Sequence, residues 1–317
     1  MKTIGRYKNG NYWVTLLEDG TKIRYTDDDV FKPQFPECLD MNITYKCDGG
    51  CPYCYQNATI NGKHGRLMID GKPAHKWMND LQPFTELALN ANDLSHPELE
   101  EFLEFLKEKK VVANLTINQN HMARVDIRTK LRDWRERGLI YGIGLSVTNA
   151  SDPSLRAYYH EVGGFLLHMI AGVHTVGDFM HFLVDSTIQW KFLVLGYKML
   201  GRGLFYSSEN VGTPKDVLDN IQKLKEFFVD MKNLAAGVSF DNLALKQLDI
   251  FNIWFNNDKE KWDLFFAGKD GNFTFYVDMV KETYAISSTR CGDGYVFKDS
   301  LFEMFEDVNK MVKEDDI

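Results

Sequence analysis

The sequence predicts an α/β protein of parallel βα units, preceded by an N-terminal β-hairpin and followed by a small α+β C-terminal extension. Three observations carry this. Between residues 38 and 197, short apolar strand-like runs alternate with helix-like segments, the pattern of a parallel sheet with crossover helices. At both ends that rhythm gives way to aromatic and β-branched runs divided by turn residues. The 317 residues are 44% hydrophobic and 26% charged, enough apolar material and length for a large buried core.

Residues 1–27 read as a hairpin, with "NYWVTLL" and "TKIRYT" as strands and "EDG" as the turn. The connector "DDDVFKPQFPE" follows, and "CLDMNITY" is the first strand of the series. The next strands are "ELALNA" (86–91), "VVANLTIN" (111–118), "YGIGLSVT" (141–148), "FLLHMIAG" (165–172) and "QWKFLVLGY" (189–197). Helices are expected near 73–82, 97–110, 121–138, 152–161 and 175–187. This alternation serves a doubly wound sheet and a barrel equally, and in both the site lies in loops after the C-terminal strand ends. Past residue 205 the rhythm breaks. "TPKDVLDNIQKLKEFFVDM" predicts a helix with Thr213 as N-cap, Pro214 at the first helical position and Asp216 three residues after the cap. "FTFYVDMV" and "TYAISST" read as a second hairpin, and "EDVNKMVKEDDI" as a solvated helix or tail. The division is 1–35, 36–205 and 206–317.

The first residues lack the apolar core of a signal peptide, and no run approaches a membrane span, so a soluble, cytoplasmic protein is expected. The net charge of −8 supplies no positive field for general nucleic-acid binding. A peptide or small molecule is the better first substrate class.

"KCDGGCPYCYQN" holds Cys47, Cys51 and Cys54. In a reducing compartment such a group reads as metal ligands or redox groups before disulfides. Structural zinc asks for four ligands; Cys38 or His64 could supply the fourth. Three thiolates on a tight loop, which Gly49 and Gly50 allow to wrap closely, suit a 4Fe-4S cluster with one iron open.

C-x3-C-x2-C with Tyr53 directly before the last cysteine, in the loop after the first strand of a βα series, resembles the radical S-adenosylmethionine (radical SAM) superfamily. Over roughly residues 36–205 the resemblance implies a partial (β/α)6 TIM-like barrel. It implies a 4Fe-4S cluster on Cys47, Cys51 and Cys54, with S-adenosyl-L-methionine chelating the fourth iron. The implied activity is reductive cleavage of that cofactor to a 5'-deoxyadenosyl radical, which abstracts hydrogen from a substrate. An electron donor such as flavodoxin or ferredoxin and sensitivity to oxygen follow from it.

Other segments resemble the same family. Asn90, Ala91, Asn92 and Asp93 stand where the family has Gly-Gly-Glu-Pro. Asn92 takes the glutamate place and could accept from the cofactor's ammonium, with Asp93 as a source of charge; the plainer reading is a loop leading into a helix. Tyr53, Ser146 and Arg156 occupy cofactor-binding places, the arginine suited to a carboxylate; the plainer readings are a surface ion pair for Arg156 and a satisfied strand-end hydroxyl for Ser146. "LGYKMLGRG" resembles the adenine-side loop, with Gly201 and Gly203 permitting a tight turn and Lys198 and Arg202 either meeting substrate or solvated. Cys291 could return a hydrogen atom to a substrate radical, as in peptide epimerases of the superfamily; the bland reading is a small buried hydrophobe. The leading function is therefore a radical SAM enzyme on a peptide, of maturase or epimerase type. A nucleoside or small metabolite is the other substrate class, and a non-catalytic zinc or iron-sulfur protein is the rival of a different kind.

Overall fold

The computed structural model describes residues 2–185, 187–209, 214–231 and 237–314. The chain opens with β1 (Thr3–Asn9), β2 (Tyr12–Leu17) and β3 (Lys22–Tyr25), an antiparallel sheet in the order β1-β2-β3. The expected hairpin is thus three-stranded. "TIGRYKN" escaped notice because its inward residues are Gly5, Tyr7 and Asn9, only one of them large and apolar. Gly10 makes the β1–β2 turn at φ +59°, and a Cβ there would lie 1.8 Å from the Lys32 carbonyl oxygen.

The next strand is β4 (Cys38–Asn42); a short hairpin, β5 (Met68–Ile69) and β6 (Lys72–Pro73), stands apart from the main sheet. Then come β7 (Glu86–Asn92), β8 (Val112–Asn118), β9 (Gly142–Ser146), β10 (Leu166–Ile170) and β11 (Phe192–Leu195), each parallel to its predecessor in the sheet. All the strands expected between residues 38 and 197 are present. Between them run α1 (Leu99–Glu108), α2 (Val125–Glu136), α3 (Leu155–Glu161) and α4 (Val176–Leu183); the expected helix near 73–82 forms only a 3-10 turn, Lys76–Asp80. Gly203–Glu209 (α5) and Pro214–Met231 (α6) follow, with Asp216 in the first turn of α6. Thr213 lies outside the described residues.

The parallel series extends beyond residue 205. β12 (Val238–Phe240) pairs with β11; after the short helices α7 (Asn242–Gln247), α8 (Ile250–Phe255) and α9 (Lys259–Phe265), β13 (Thr274–Asp278) returns to pair in parallel with β4. β14 (Thr283–Ala285) and β15 (Tyr295–Val296) add antiparallel strands, so the second hairpin is present as β13–β14. The ten-stranded order is β12-β11-β10-β9-β8-β7-β4-β13-β14-β15, and among the described residues the sheet does not close. The described part of the segment expected as a solvated helix or tail is a helix packed on the core. α10 (Leu301–Glu314) begins before the predicted segment and buries Leu301, Met304, Phe305 and Val308 at helical spacing.

The central strands alternate strictly. Leu39, Met41, Leu87, Leu89, Leu115, Ile117, Leu145, Leu167 and Met169 are fully buried on one face. The other face carries Asp40, Asn90, Thr116, Ser146 and His168, small or polar residues that border a cavity. At the N-terminal end of these strands the three-stranded sheet is fastened by charge. Lys22 pairs with Glu86 (2.5 Å), and Arg24 forks onto the fully buried Glu37 (2.8 and 2.9 Å), which also accepts from Tyr12 Oη (2.7 Å). Among the described residues no helix is long and apolar enough to cross a membrane.

Candidate active site

The cysteines leave the opposite, C-terminal end of β4. Their loop is stitched by backbone bonds, Cys47 N–H to Thr59 O (2.9 Å), Thr59 N–H to Tyr45 O (3.0 Å) and Cys54 N–H to Cys51 O (3.2 Å). Gly50 sits at φ +61°, and a Cβ on Gly49 would press to 3.3 Å from Cys47 Sγ. All five cysteines are free. Cys38 stands at the far end of β4, its thiol pushed up to about 12 by burial.

Hydrogen-bond donors surround the loop's sulfurs. Gly49 N–H meets Cys47 Sγ at 3.3 Å, and Asn118 Nδ2 donates to Cys51 Sγ at 3.0 Å. His121 Nε2 lies 3.8 Å from Cys47 Sγ while its Nδ1 faces Asp48 at 3.2 Å. Burial pushes Cys47 up to about 11 and raises Cys51 as well, so the free thiols favour the protonated form. Among the described residues no three thiol, imidazole or carboxylate groups converge on a single metal ion.

Arg202 locks the loop from the other side. Its Nε donates to Cys51 O (2.9 Å), its Nη1 to Ala58 O (3.0 Å) and its backbone N–H to Cys54 O (2.9 Å). This docking demands Gly201, whose φ is +54° and whose Cβ would fall 2.4 Å from Tyr55 O. Of the two readings of Arg202, the solvated one is therefore displaced.

Between this loop and the polar face of the sheet lies a cavity of about 400 Å³, a size ordinary for a small-molecule site. Tyr53 lines it, packed edge-on against Tyr206 at 5.5 Å. Asn90 and Asn92 line it too. Asn90 Nδ2 donates to Gln56 Oε1 (2.5 Å), and Asn92, at φ +49°, donates to Lys46 O (3.0 Å) and Thr44 O (3.3 Å). Strand alternation sends Ala91 into the core, and Asp93 turns back to accept from Ser95 N–H (3.1 Å); neither lines the cavity. Ser146 lines it beside its cross-strand partner His168.

Arg156 is elsewhere. It is 53% exposed on α3 and pairs with Asp185 at 2.9 Å, so it is not brought to Ser146. Cys291 sits in the 3-10 turn Ser288–Asp293, whose Ser288 and Thr289 line the cavity while Cys291 itself does not. His64 bonds Thr44 Oγ1 (2.8 Å), and His174 is buried against Val147 O (3.0 Å); both are structural.

Sequence reasoning missed Asp40, Tyr276, Asp241, Asp270 and Ser288 in the cavity lining, where they join Lys198, one of the residues it had singled out. Lys198 Nζ donates to Ser288 Oγ (2.7 Å) and lies 4.2 Å over the Tyr55 ring. The available signal was the period-2 alternation of "CLDMN" and "ELALNAN". A parallel strand packed on both faces reads as continuously apolar; a polar residue at every second position marks a face turned to a polar space.

No protein-family model matches the sequence, and no curated protein matches it. Among solved structures the chain is similar in fold to SuiB of Streptococcus suis, in its crystal structure bound to the precursor peptide SuiA. The TM-score is 0.57 at 14% identity, over 88% of this chain and 67% of that one. At such identity the likeness is one of fold.

Proposed function

We propose that this chain is a radical SAM enzyme that modifies a peptide. The observation that carries the reading is the C-x3-C-x2-C loop, set at the C-terminal end of a parallel sheet and opening onto a cavity of cofactor size. With a 4Fe-4S cluster on Cys47, Cys51 and Cys54 and S-adenosyl-L-methionine beside it, the chemistry supplied is one-electron cleavage to a 5'-deoxyadenosyl radical that takes hydrogen from the substrate. The residues fit that group. Three cysteines on one loop suit a cubane with one open iron better than tetrahedral zinc, which asks for a fourth protein ligand. Asn118 and the Gly49 amide stabilise sulfur charge, and Arg202 holds the loop in shape.

In this reading β4 and β7 to β11 are the six strands of a partial barrel. Asn92 spends its Nδ2 on loop carbonyls, which would leave its Oδ1 for the cofactor's ammonium; Ser146 would meet the ribose and Tyr53 would wall the site. Arg156, held by Asp185, and Cys291, outside the lining, are given no part. The peptide comes from the likeness to SuiB, crystallised with its precursor peptide. A flavodoxin or ferredoxin in the cytoplasm would supply the electron.

Anaerobic reconstitution tests this. The protein should take up about four irons per chain, as one 4Fe-4S cluster requires, and release 5'-deoxyadenosine when reduced with S-adenosyl-L-methionine. Replacing Cys47, Cys51 and Cys54 by Ala should abolish both. A colourless protein carrying stoichiometric zinc and releasing no 5'-deoxyadenosine overturns the reading.

A further inference from the structure

The cavity lining carries an imbalance of charge. Its carboxylates are Asp40, Asp241 and Asp270, and its cations are Lys198 and Arg202. Arg202 is turned to the cysteine loop, leaving Lys198 to face the three acids. Asp241 spends one oxygen on Gly196 N–H (2.9 Å) and Ala244 N–H (2.7 Å), and Asp270 accepts from Asn242 Nδ2 (2.6 Å). Asp40 is the acid on the sheet itself, and its cross-strand partner is Tyr276 of β13. Tyr276 is 2% exposed, lines the cavity, and its Oη has no hydrogen-bond partner among the described residues. A buried hydroxyl without a partner beside a carboxylate is a costly arrangement unless a ligand completes it.

A second feature adjoins this lining. A groove of about 630 Å³, lined by Leu243, Phe251, Trp262 and Phe266 and by Lys246, Lys269 and Arg290, borders the cavity: the two share Asn242, Leu243, Asp270, Ile286, Ser287 and Thr289. A groove with an aromatic side that borders a polar pocket suits an extended chain that lays its backbone in the groove and sends one side chain inward.

We infer that Asp40 and Tyr276 form a subsite for a cationic side chain of the peptide substrate, an ammonium or guanidinium, reached through the groove beside α7 and α9. Asp40 supplies the charge, Tyr276 Oη accepts an N–H, and Asp241 and Asp270 add negative potential. This rests on the peptide reading above and names the substrate class of that same site.

The test is calorimetric titration of the anaerobically reconstituted full chain with blocked pentapeptides acetyl-Gly-Gly-X-Gly-Gly-amide, X being lysine, arginine, norleucine or glutamate, and with n-butylammonium. The lysine or arginine peptide should bind at least about tenfold more tightly than the norleucine peptide, the scale of one charge-assisted hydrogen bond; which of the two leads separates ammonium from guanidinium. Asp40→Asn should erase the preference, and Tyr276→Phe, a milder change at the same wall, should reduce it. Equal binding of the lysine, arginine and norleucine peptides overturns the subsite, as does a preference that survives Asp40→Asn in a folded protein. Butylammonium binding without any peptide binding overturns the peptide and its groove. Failure of the radical chemistry shows separately, as absence of 5'-deoxyadenosine from a protein that still selects the cationic peptide.

Discussion

Gly201 shows how one backbone position can govern a metal site. Any side chain there meets the Cys54 and Tyr55 carbonyls, and its left-handed φ adds strain. Gly201→Ala should cost about 1 to 3 kcal/mol of stability and lower iron uptake, measured by urea unfolding of the apoprotein and iron analysis after reconstitution. His168 makes a different prediction. Burial holds its pKa down at about 4, against 6.5 for an unperturbed imidazole, and its ring fills the space left by Gly144. Between those values the unfolded chain binds more protons than the folded one. The stabilisation from a neutral His168 is complete above pH 6.5 and is lost as the pH falls to 4, a change of about 3 kcal/mol. Unfolding of the apoprotein across this range should be flatter with pH for His168→Gln than for the native chain. At this scale the three cysteines were legible as one group because their spacing alone puts them on a single loop. Asn92, Ser146 and Tyr53 were legible as positions, whereas Arg156 was not, since an arginine's partner depends on which way its helix faces.

The N-terminal sheet and the parallel strands are joined by a buried ion network, and the two elements depend on each other through it. Glu37 is fully buried beneath Arg24, Lys22 and Tyr12. Removing one member of such a group leaves the opposite charge buried without compensation. Glu37→Ala should therefore destabilise the fold by about 3 to 5 kcal/mol, seen as a lower urea midpoint with an unchanged slope. The strands between residues 38 and 197 were readable because each repeats a local apolar pattern. β1 was not, because its inward side is built from Gly5, Tyr7 and Asn9. β12 and β13 were not recognised as members of the parallel sheet for another reason: pairing with a strand distant in sequence leaves no local mark. α10 was read as a solvated helix or tail because the segment singled out starts after Leu301, Met304 and Phe305, which pack the helix onto the core.

At the scale of the whole molecule, the cavity is closed by the part of the chain that the sequence pattern described least. Tyr276, Ser288, Asp241 and Asp270 all lie beyond residue 205, as does most of the groove leading to them. A chain stopped at residue 272 lacks β13 and exposes the edge of β4. It should unfold in urea without a single cooperative transition, and a transition matching the full chain would show that β13 is dispensable. The parallel pairing of β4 with β13 also sets a timetable. On a ribosome the cysteine loop emerges long before the strand that walls its cavity, and contacts so distant in sequence form late and slowly. Until Thr274–Asp278 has been made, the cysteine loop stands beside the open edge of β4, and the part of the cavity lining that Tyr276 supplies does not yet exist.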